Sequence, residues 1–285
     1  MASIDLATKY LPFTDEIFTT ESRISLLTTD HFTWESASTV KIYKITTSAM
    51  NDYGRAGPTP GVWSRYGPVE GLDATTQSMT LRKDRSFTFA VDALDADETV
   101  QQLQGASALA RQIREVVIPE IDRWAYQEMT ANAGQNESGA LTVANIYQSV
   151  IAAKNALDEA EVPETGRFLL VTPNTFALMK QAELIIMMTE IGQDMRLRGV
   201  IATLDGMEVV RVPANRLPED FGFLAGHPVA TVAPVKLSSY RIHENPPGIN
   251  GALVEGRFNY DAFVLDNKAK ALYYHKNDEP TPVEP

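Results

Sequence analysis

The chain has 285 residues, of which 44% are hydrophobic and 22% charged, a composition typical of a soluble globular protein with one elaborate domain or two closely joined ones. No apolar run approaches the ~18 residues that span a bilayer, and the N-terminal residues lack the pattern of a secretory signal, so neither membrane insertion nor export by that route is expected. The absence of cysteine excludes disulfides and thiolate metal sites, and the net charge of −12 argues against a protein that binds DNA through a basic surface.

The first third of the chain is predicted to contain an arm and two strands. Residues 1 to about 38 mix threonine and serine with isolated apolar residues, and are interpreted as an extended arm. Apolar residues from Val40 to Ile45 predict one strand, and the alternation from Phe87 to Val91 predicts a second. We expect these two strands to pair. The short basic stretch at 81–85 is interpreted as a solvated face.

A long excursion separates the two predicted strands. Eight glycine and proline residues between Gly54 and Gly71 exclude a regular helix. Long loops in compact proteins tend to be functional, and this one carries aromatic residues that a solvated linker would not need. We therefore expect a further surface, such as that of a second subunit, to cover them. The candidate contact residues are Tyr53, Arg55, Trp63 and Tyr66.

A long amphipathic helix is predicted next. Acidic residues at 95, 97 and 98 precede apolar residues spaced by three and four from Val100 to Trp124, and the acidic start suits the positive end of the helix dipole. Pro119 should kink the helix or begin a second one, because proline lacks the amide donor. The residues predicted to form its packing face are Ile113, Val117, Ile121 and Trp124.

The remainder of the chain alternates helices and strands. After a glycine-containing break at 134–139, a helix is predicted over 146–157 and an apolar strand over 168–171, followed by a third helix with Thr172 as N-cap and Pro173 in its first position. A strand near 209–212 follows the turn Asp205-Gly206, and residues 229–275 are predicted to form strands. The pattern indicates an α/β or α+β layer, and we predict an α+β fold.

Catalytic chemistry is not indicated by any motif. The four histidines are far apart in sequence, and the chain has neither a helical zinc motif nor a nucleotide-binding glycine loop. We therefore assign no catalytic, cofactor-binding or metal-binding residue and no cofactor. A small α/β enzyme with its site near Thr172 to Asn174, at the carboxyl end of a strand, is kept as a distant alternative.

Several of these segments resemble, in order, the major capsid proteins of tailed bacteriophages with the Hong Kong 97 fold. The resemblance extends from about residue 50 to 270 and depends on the order of the segments. They are Asn51 to Arg55, Asp84 to Asp92, Glu98-Thr99, Val117 to Asp122, Leu170 to Pro173, Leu204 to Met207, Arg211 to Pro213, and Tyr260 to Lys268.

The resemblance implies an architecture with an N-terminal arm, an extended β-hairpin loop, a long spine helix, and peripheral and axial domains. In such shells the extended loop lies over a neighbouring subunit, which would explain exposed aromatic residues in the excursion. The implied divisions are an N-terminal arm at 1–39, the extended loop and flanking strands at 40–95, the spine helix of the peripheral domain at 96–138, the axial domain at 139–225, return strands at 226–278, and a C-terminal tail at 279–285.

The resemblance also implies partners. They are other copies of the chain, as a homo-oligomer of hexamers and pentamers in an icosahedral shell, together with a scaffolding protein, a portal, and packaged double-stranded DNA without sequence-specific contacts. The expected location is the virion, after assembly in the host cytoplasm. Two alternatives stay open. One is an encapsulin-type compartment of the same fold that encloses cargo enzymes; the other is a lysine–asparagine cross-link, for which Lys83, Asn259 and Glu255 are suitable residues that match no motif.

Overall fold

The computed structural model describes residues 22–29, 39–45, 47–57, 60–69, 71, 74–94, 105–182 and 203–278. The predicted beginning of the long helix at 95–104, most of the N-terminal arm and the predicted tail at 279–285 lie outside these residues. The chain divides into two units, residues 36–80 and the remainder. We describe each unit by itself.

The smaller unit is built on an antiparallel hairpin. Strand β1 (Thr39–Ile45) pairs with β2 (Ala74–Thr80) from Thr39 opposite Thr80 to Ile45 opposite Ala74. The predicted strand from Val40 to Ile45 is therefore confirmed, but its predicted pairing with the strand at 87–91 is wrong. Strand β2 was missed because its threonines supply β propensity without an alternation of apolar and polar residues.

After the smaller unit, the larger unit continues with β3 (Lys83–Asp92) and a helical segment in three parts. Helix α1 (Gly105–Gln112) runs into a π-helical turn (Ile113–Val117) and then into α2 (Ile118–Ala131). Pro119 lies in the first turn of α2, directly after the π turn, so the prediction that proline begins a second helix is confirmed. The amide of Ile118 instead bonds to the carbonyl of Ile113, which closes the wider π turn.

Short elements follow α2 and complete the described fold. In chain order they are β4 (Gln135–Ser138), α3 (Ile146–Glu159), β5 (Phe168–Val171), α4 (Pro173–Gln181), β6 (Thr203–Leu204), β7 (Met207–Arg211), β8 (Phe221–Gly226), β9 (Thr231–Val232), β10 (Val235–Glu244), β11 (Gly251–Tyr260), β12 (Phe263–Val264) and β13 (Leu272–Lys276). A six-stranded sheet has the order β4-β13-β8-β5-β7-β6, and a three-stranded sheet has the order β10-β11-β3. Strands β9 and β12 form a separate antiparallel pair.

Predicted elements between 146 and 211 form with their expected signals. Thr172 caps α4 by accepting a hydrogen bond from the amide of Thr175, and Pro173 opens the helix. Asp205 and Gly206 both have positive φ, as the tight turn between β6 and β7 requires. The apolar segment 168–171 is the fully buried β5, which pairs with β7 on one side and β8 on the other.

Three strands of the six-stranded sheet, β4, β6 and β8, were not predicted. Every residue of β8 is buried, but glycines interrupt its apolar pattern. Gly222 is needed there because a Cβ would lie 2.6 Å from the carbonyl oxygen of His275 on the neighbouring strand. Strand β4 occupies the segment that was interpreted as a break, where it pairs in parallel with β13.

The end of the predicted arm is a core element. Residues 22–29 include a 3₁₀ turn whose Ile24 and Leu27 are buried in the main hydrophobic core. The hydroxyl of Ser22 donates to Asp122 at 2.7 Å, and the same carboxylate forms a buried 2.7 Å ion pair with Arg216. The interpretation of this segment as extended arm is therefore wrong. The two buried side chains are too few and too close in sequence to produce a recognisable period.

Candidate subunit interface

The excursion between β1 and β2 has an internal structure of its own. The amide of Gly54 donates to the carbonyl of Arg65 at 2.9 Å, which brings its two limbs together. The rings of Tyr53 and Tyr66 pack edge to face with centroids 5.0 Å apart. Gly67 has a φ of 98°, and a Cβ there would lie 2.7 Å from the side chain of Asn51. The excursion is thus a shaped element rather than a featureless linker.

Most of the aromatic surface of the excursion is exposed. Trp63 is 84% exposed, Tyr66 78% and Tyr53 51%, while Arg55 is also exposed. Aromatic side chains bury roughly 150–250 Å² each when fully covered, so these rings leave about 400 Å² of mainly apolar area in solvent. Single exposed apolar residues are ordinary, whereas several exposed aromatic residues within one short segment are typical of interaction surfaces.

The predicted packing face of the helix lies against the three-stranded sheet. Val117 is buried in a cluster with Phe258 and Tyr260 of β11. The side chains of Ile113, Ile121 and Trp124 are partly buried and pack against the same cluster, together with that of Phe87 of β3. The four residues predicted for the packing face therefore lie together on one side of the helical segment.

The buried carboxylate of Asp261 connects the three-stranded sheet to this helical segment. The side chain of Asp261 is completely buried, and its oxygens accept hydrogen bonds from the indole of Trp124 at 2.8 Å and from the guanidinium of Arg82 at 2.9 and 3.0 Å. The backbone amides of Arg82 and Ala262 also donate to it, each at 2.8 Å. Burial disfavours the charged carboxylate, but these donors outweigh it and lower the pKa of Asp261.

The basic stretch at 81–85 is largely exposed, as predicted for a solvated face, but its cations have specific partners. Arg82 binds Asp261 and also forms a 2.9 Å ion pair with Glu128 of α2. The ammonium of Lys83 lies 3.8 Å from the ring centroid of Trp124, and Arg85 pairs with Glu120 at 2.8 Å. The sequence did not indicate these contacts, because the partners are 35 or more residues away, where local patterns carry no information.

The threonines and histidines that were considered as catalytic candidates have structural roles. Thr172 and Thr175 are buried and satisfied by the cap and by the carbonyl of Gly222, and no titratable groups converge on them among the described residues. The ring of His227 bonds to the carbonyl of Thr165 and accepts a hydrogen bond from the amide of Val229, and the ring of His275 bonds to the carbonyl of Gly139. Within the described part of the chain, no cluster of His, Asp and Glu suits a metal ion.

The candidate cross-linking residues lie on the three-stranded sheet. Lys83 is opposite Tyr260, and Asn259 is opposite Asp84. Glu255 lies four residues before Asn259 in β11. The carboxylate of Glu255 instead lies 3.3 Å from the imidazole of His243.

None of the helices in the described ranges has the length and apolar character needed to cross a membrane.

Comparison with known proteins identifies the family. A model of the phage capsid protein family matches residues 74–274, more than two-thirds of the chain. The chain belongs to the phage capsid protein family. No curated protein matches this capsid protein in sequence.

Solved structures show that its fold is that of phage capsids. The capsid protein resembles a structure from Mycobacterium phage Che8 at 17% identity and a TM-score of 0.73, covering 95% of this chain and 97% of that one. It also resembles the capsid of cyanophage P-SCSP1u at 12% identity and a TM-score of 0.74, covering 95% and 92% of the two chains. The predicted α+β class and the predicted family are confirmed, and the family places the protein in the multi-subunit shell of a virion.

A virus-like particle from Pyrococcus furiosus shares the fold at lower similarity. Its identity is 11% and its TM-score 0.56, covering 90% of this chain and 92% of that one. At that identity the likeness shows the fold alone. The match to the phage capsid family therefore favours a phage head over an encapsulin-type compartment.

Proposed function

We propose that this capsid protein is the major subunit of an icosahedral head that encloses double-stranded DNA. Hexamers and pentamers of the chain would form the shell, with a scaffolding protein and a portal as partners during assembly in the host cytoplasm. The acidic balance of the chain, −12 overall, supports a wall that repels packaged DNA weakly and leaves it free to move.

Each proposed domain corresponds to a set of the described elements. The helical segment 105–131 with the three-stranded sheet would form the peripheral domain, and the six-stranded sheet with α3 and α4 the axial domain near the symmetry axes. Subunits in such rings contact one another head to tail, and heterologous contacts of that kind close into rings. The protein would act through these contacts and carry no catalytic activity.

The excursion is the proposed contact between neighbouring subunits, and the observation that carries this proposal is the exposure of its aromatic rings. Covering about 400 Å² of apolar area stabilises an interface by at most ~10 kcal/mol at ~25 cal/mol per Å². Only part of this remains after the cost of association, yet it repeats in every subunit of the shell. The guanidinium of Arg55, exposed beside Tyr53, would supply a polar contact at the same surface.

Replacement of Trp63 by alanine tests this assignment. Because the ring is 84% exposed in the subunit, Trp63→Ala should leave the melting temperature of the unassembled protein unchanged. Central interface tryptophans contribute ~2 kcal/mol or more, so the variant should need a concentration about 30-fold higher to form particles. Asp52→Ala, an exposed change in the same excursion, serves as the control and should assemble normally.

The assay is sedimentation of assembly reactions over a concentration series, followed by electron microscopy of the particle fractions. Normal particles from Trp63→Ala at the wild-type threshold concentration would show that the excursion is not the intersubunit contact. A lowered melting temperature would show that Trp63 packs within its own subunit.

A further inference from the structure

Strand β10 forms an outer edge of the three-stranded sheet. It is ten residues long, and β11 is the one strand within the described ranges that pairs with it. An unpaired edge of this length presents a row of free amide and carbonyl groups, which form a template for a strand of another chain. Natural proteins protect such edges or use them.

The pairing with β11 shows which residues direct their backbone groups outward. The amide of Asn245 donates to the carbonyl of Gly251 at 2.7 Å, and the register continues without a shift from Glu244 opposite Ala252 to Leu237 opposite Asn259. Bonded and non-bonded pairs alternate along an antiparallel ladder. The backbone groups of residues 238, 240, 242 and 244 therefore face away from β11.

Two of these residues also expose apolar side chains. Tyr240 is 57% exposed and Ile242 40% exposed, on the sheet face that carries Val254 of β11. The strand at the opposite edge of the sheet, β3, differs in exposure, because its apolar side chains Phe87 and Phe89 are half-buried. The combination of free backbone groups and exposed apolar side chains singles out β10.

We propose that β10 pairs antiparallel with β10 of a second copy of this chain, about a two-fold axis through Tyr240. Pairing would join two three-stranded sheets into one sheet of twice the width, and would cover both tyrosines and both copies of Ile242. The contact is isologous and separate from the excursion, so it could link one ring of subunits to the next.

Charge selects this register among its neighbours. An axis through Arg241 would place two arginines directly opposite each other, and like charges in that position destabilise a sheet. An axis through Ser239 would place Glu244 opposite Pro234, which has no amide to donate. An axis through Tyr240 avoids both arrangements, because it places each Arg241 opposite Ser239, with the two tyrosines adjacent at the centre.

Disulfide trapping tests the proposal, because the natural chain contains no cysteine. In the proposed register the two Cα atoms of residue 240 would be about 5.5 Å apart, within the range that a disulfide bridges. Tyr240→Cys should therefore yield covalent dimers when assembled particles are oxidised and run on a non-reducing gel. His243→Cys is the matched control on the same strand, since its two copies would be about 20 Å apart and should stay monomeric.

A monomeric band from oxidised Tyr240→Cys particles, or equal cross-linking of the two cysteine variants, would each overturn the proposed pairing. Cross-linking at residue 240 in a background of Trp63→Ala would show that this contact forms independently of the excursion.

Discussion

Replacement of Asp261 by asparagine should be strongly destabilising. The side chain is completely buried and accepts five hydrogen bonds, from the guanidinium and amide of Arg82, the indole of Trp124 and the amide of Ala262. Asparagine keeps the shape but places an NH₂ group where donors already point, and it removes the charge that balances Arg82. Asp261 is buried but Arg82 is half exposed, so the loss of the ion pair, together with the donors left without an acceptor, should cost about 2–4 kcal/mol.

The expected result of Asp261→Asn is a fall in the melting temperature of the unassembled subunit by about 10 °C, from the usual relation between stability and melting temperature in chains of this size. Asp84→Asn is the matched control, because Asp84 is exposed and pairs with Arg257 at the surface, and it should shift the melting temperature far less. A shift for Asp261→Asn as small as that of the control would refute the account of the buried network.

The lowered pKa of Asp261 predicts that the stability of the subunit depends on pH. Because folding lowers the pKa of Asp261 below its ordinary value of 3.8, its stabilising contribution is fully present above pH 3.8 and is lost as the pH falls toward the lower folded pKa. The Asp261→Asn variant should lack this part of the acid-induced loss of stability. Denaturant titrations of both proteins at pH 3 and pH 6 measure the difference.

Three further outcomes are expected. Trp124→Phe, which removes the hydrogen bond to Asp261 but keeps a ring, should destabilise the subunit by ~2 kcal/mol, and Trp124→Ala by ~3 kcal/mol or more, as measured by denaturant unfolding. Gly134→Ala should lower the melting temperature, because its Cβ would lie 2.5 Å from backbone of a neighbouring turn, whereas Gly139→Ala meets nothing within 4 Å and should not. Trypsin should cleave after the exposed Arg55 and Arg65 in the free subunit and more slowly in assembled particles; equal rates would contradict the proposed contact.

Local signals predicted the elements that local chemistry determines. The cap at Thr172, the helix start at Pro119 and the turn at Asp205 all depend on residues within four positions of one another, and each forms as expected. The strand at 168–171 was predictable because a short, fully apolar run is typical of a strand buried on both faces.

Elements that depend on distant partners were not predictable in this way. Strand β8 tolerates its glycines because β13 approaches closely, and Arg82 is held by a carboxylate 179 residues further along the chain. Ser22 belongs to the core because it bonds to Asp122, 100 residues away. The aromatic residues of the excursion are exposed in the single chain, and their coverage by a neighbouring subunit stays a prediction, because it is a property of the assembly rather than of one chain.

Electron cryo-microscopy of the full chain, expressed alone and together with the proposed scaffolding protein, tests the central claim most directly. We expect closed particles of uniform diameter in which each subunit places Trp63 against a neighbouring copy. A chain that stays monomeric under both conditions, or particles in which Trp63 faces solvent, would contradict it.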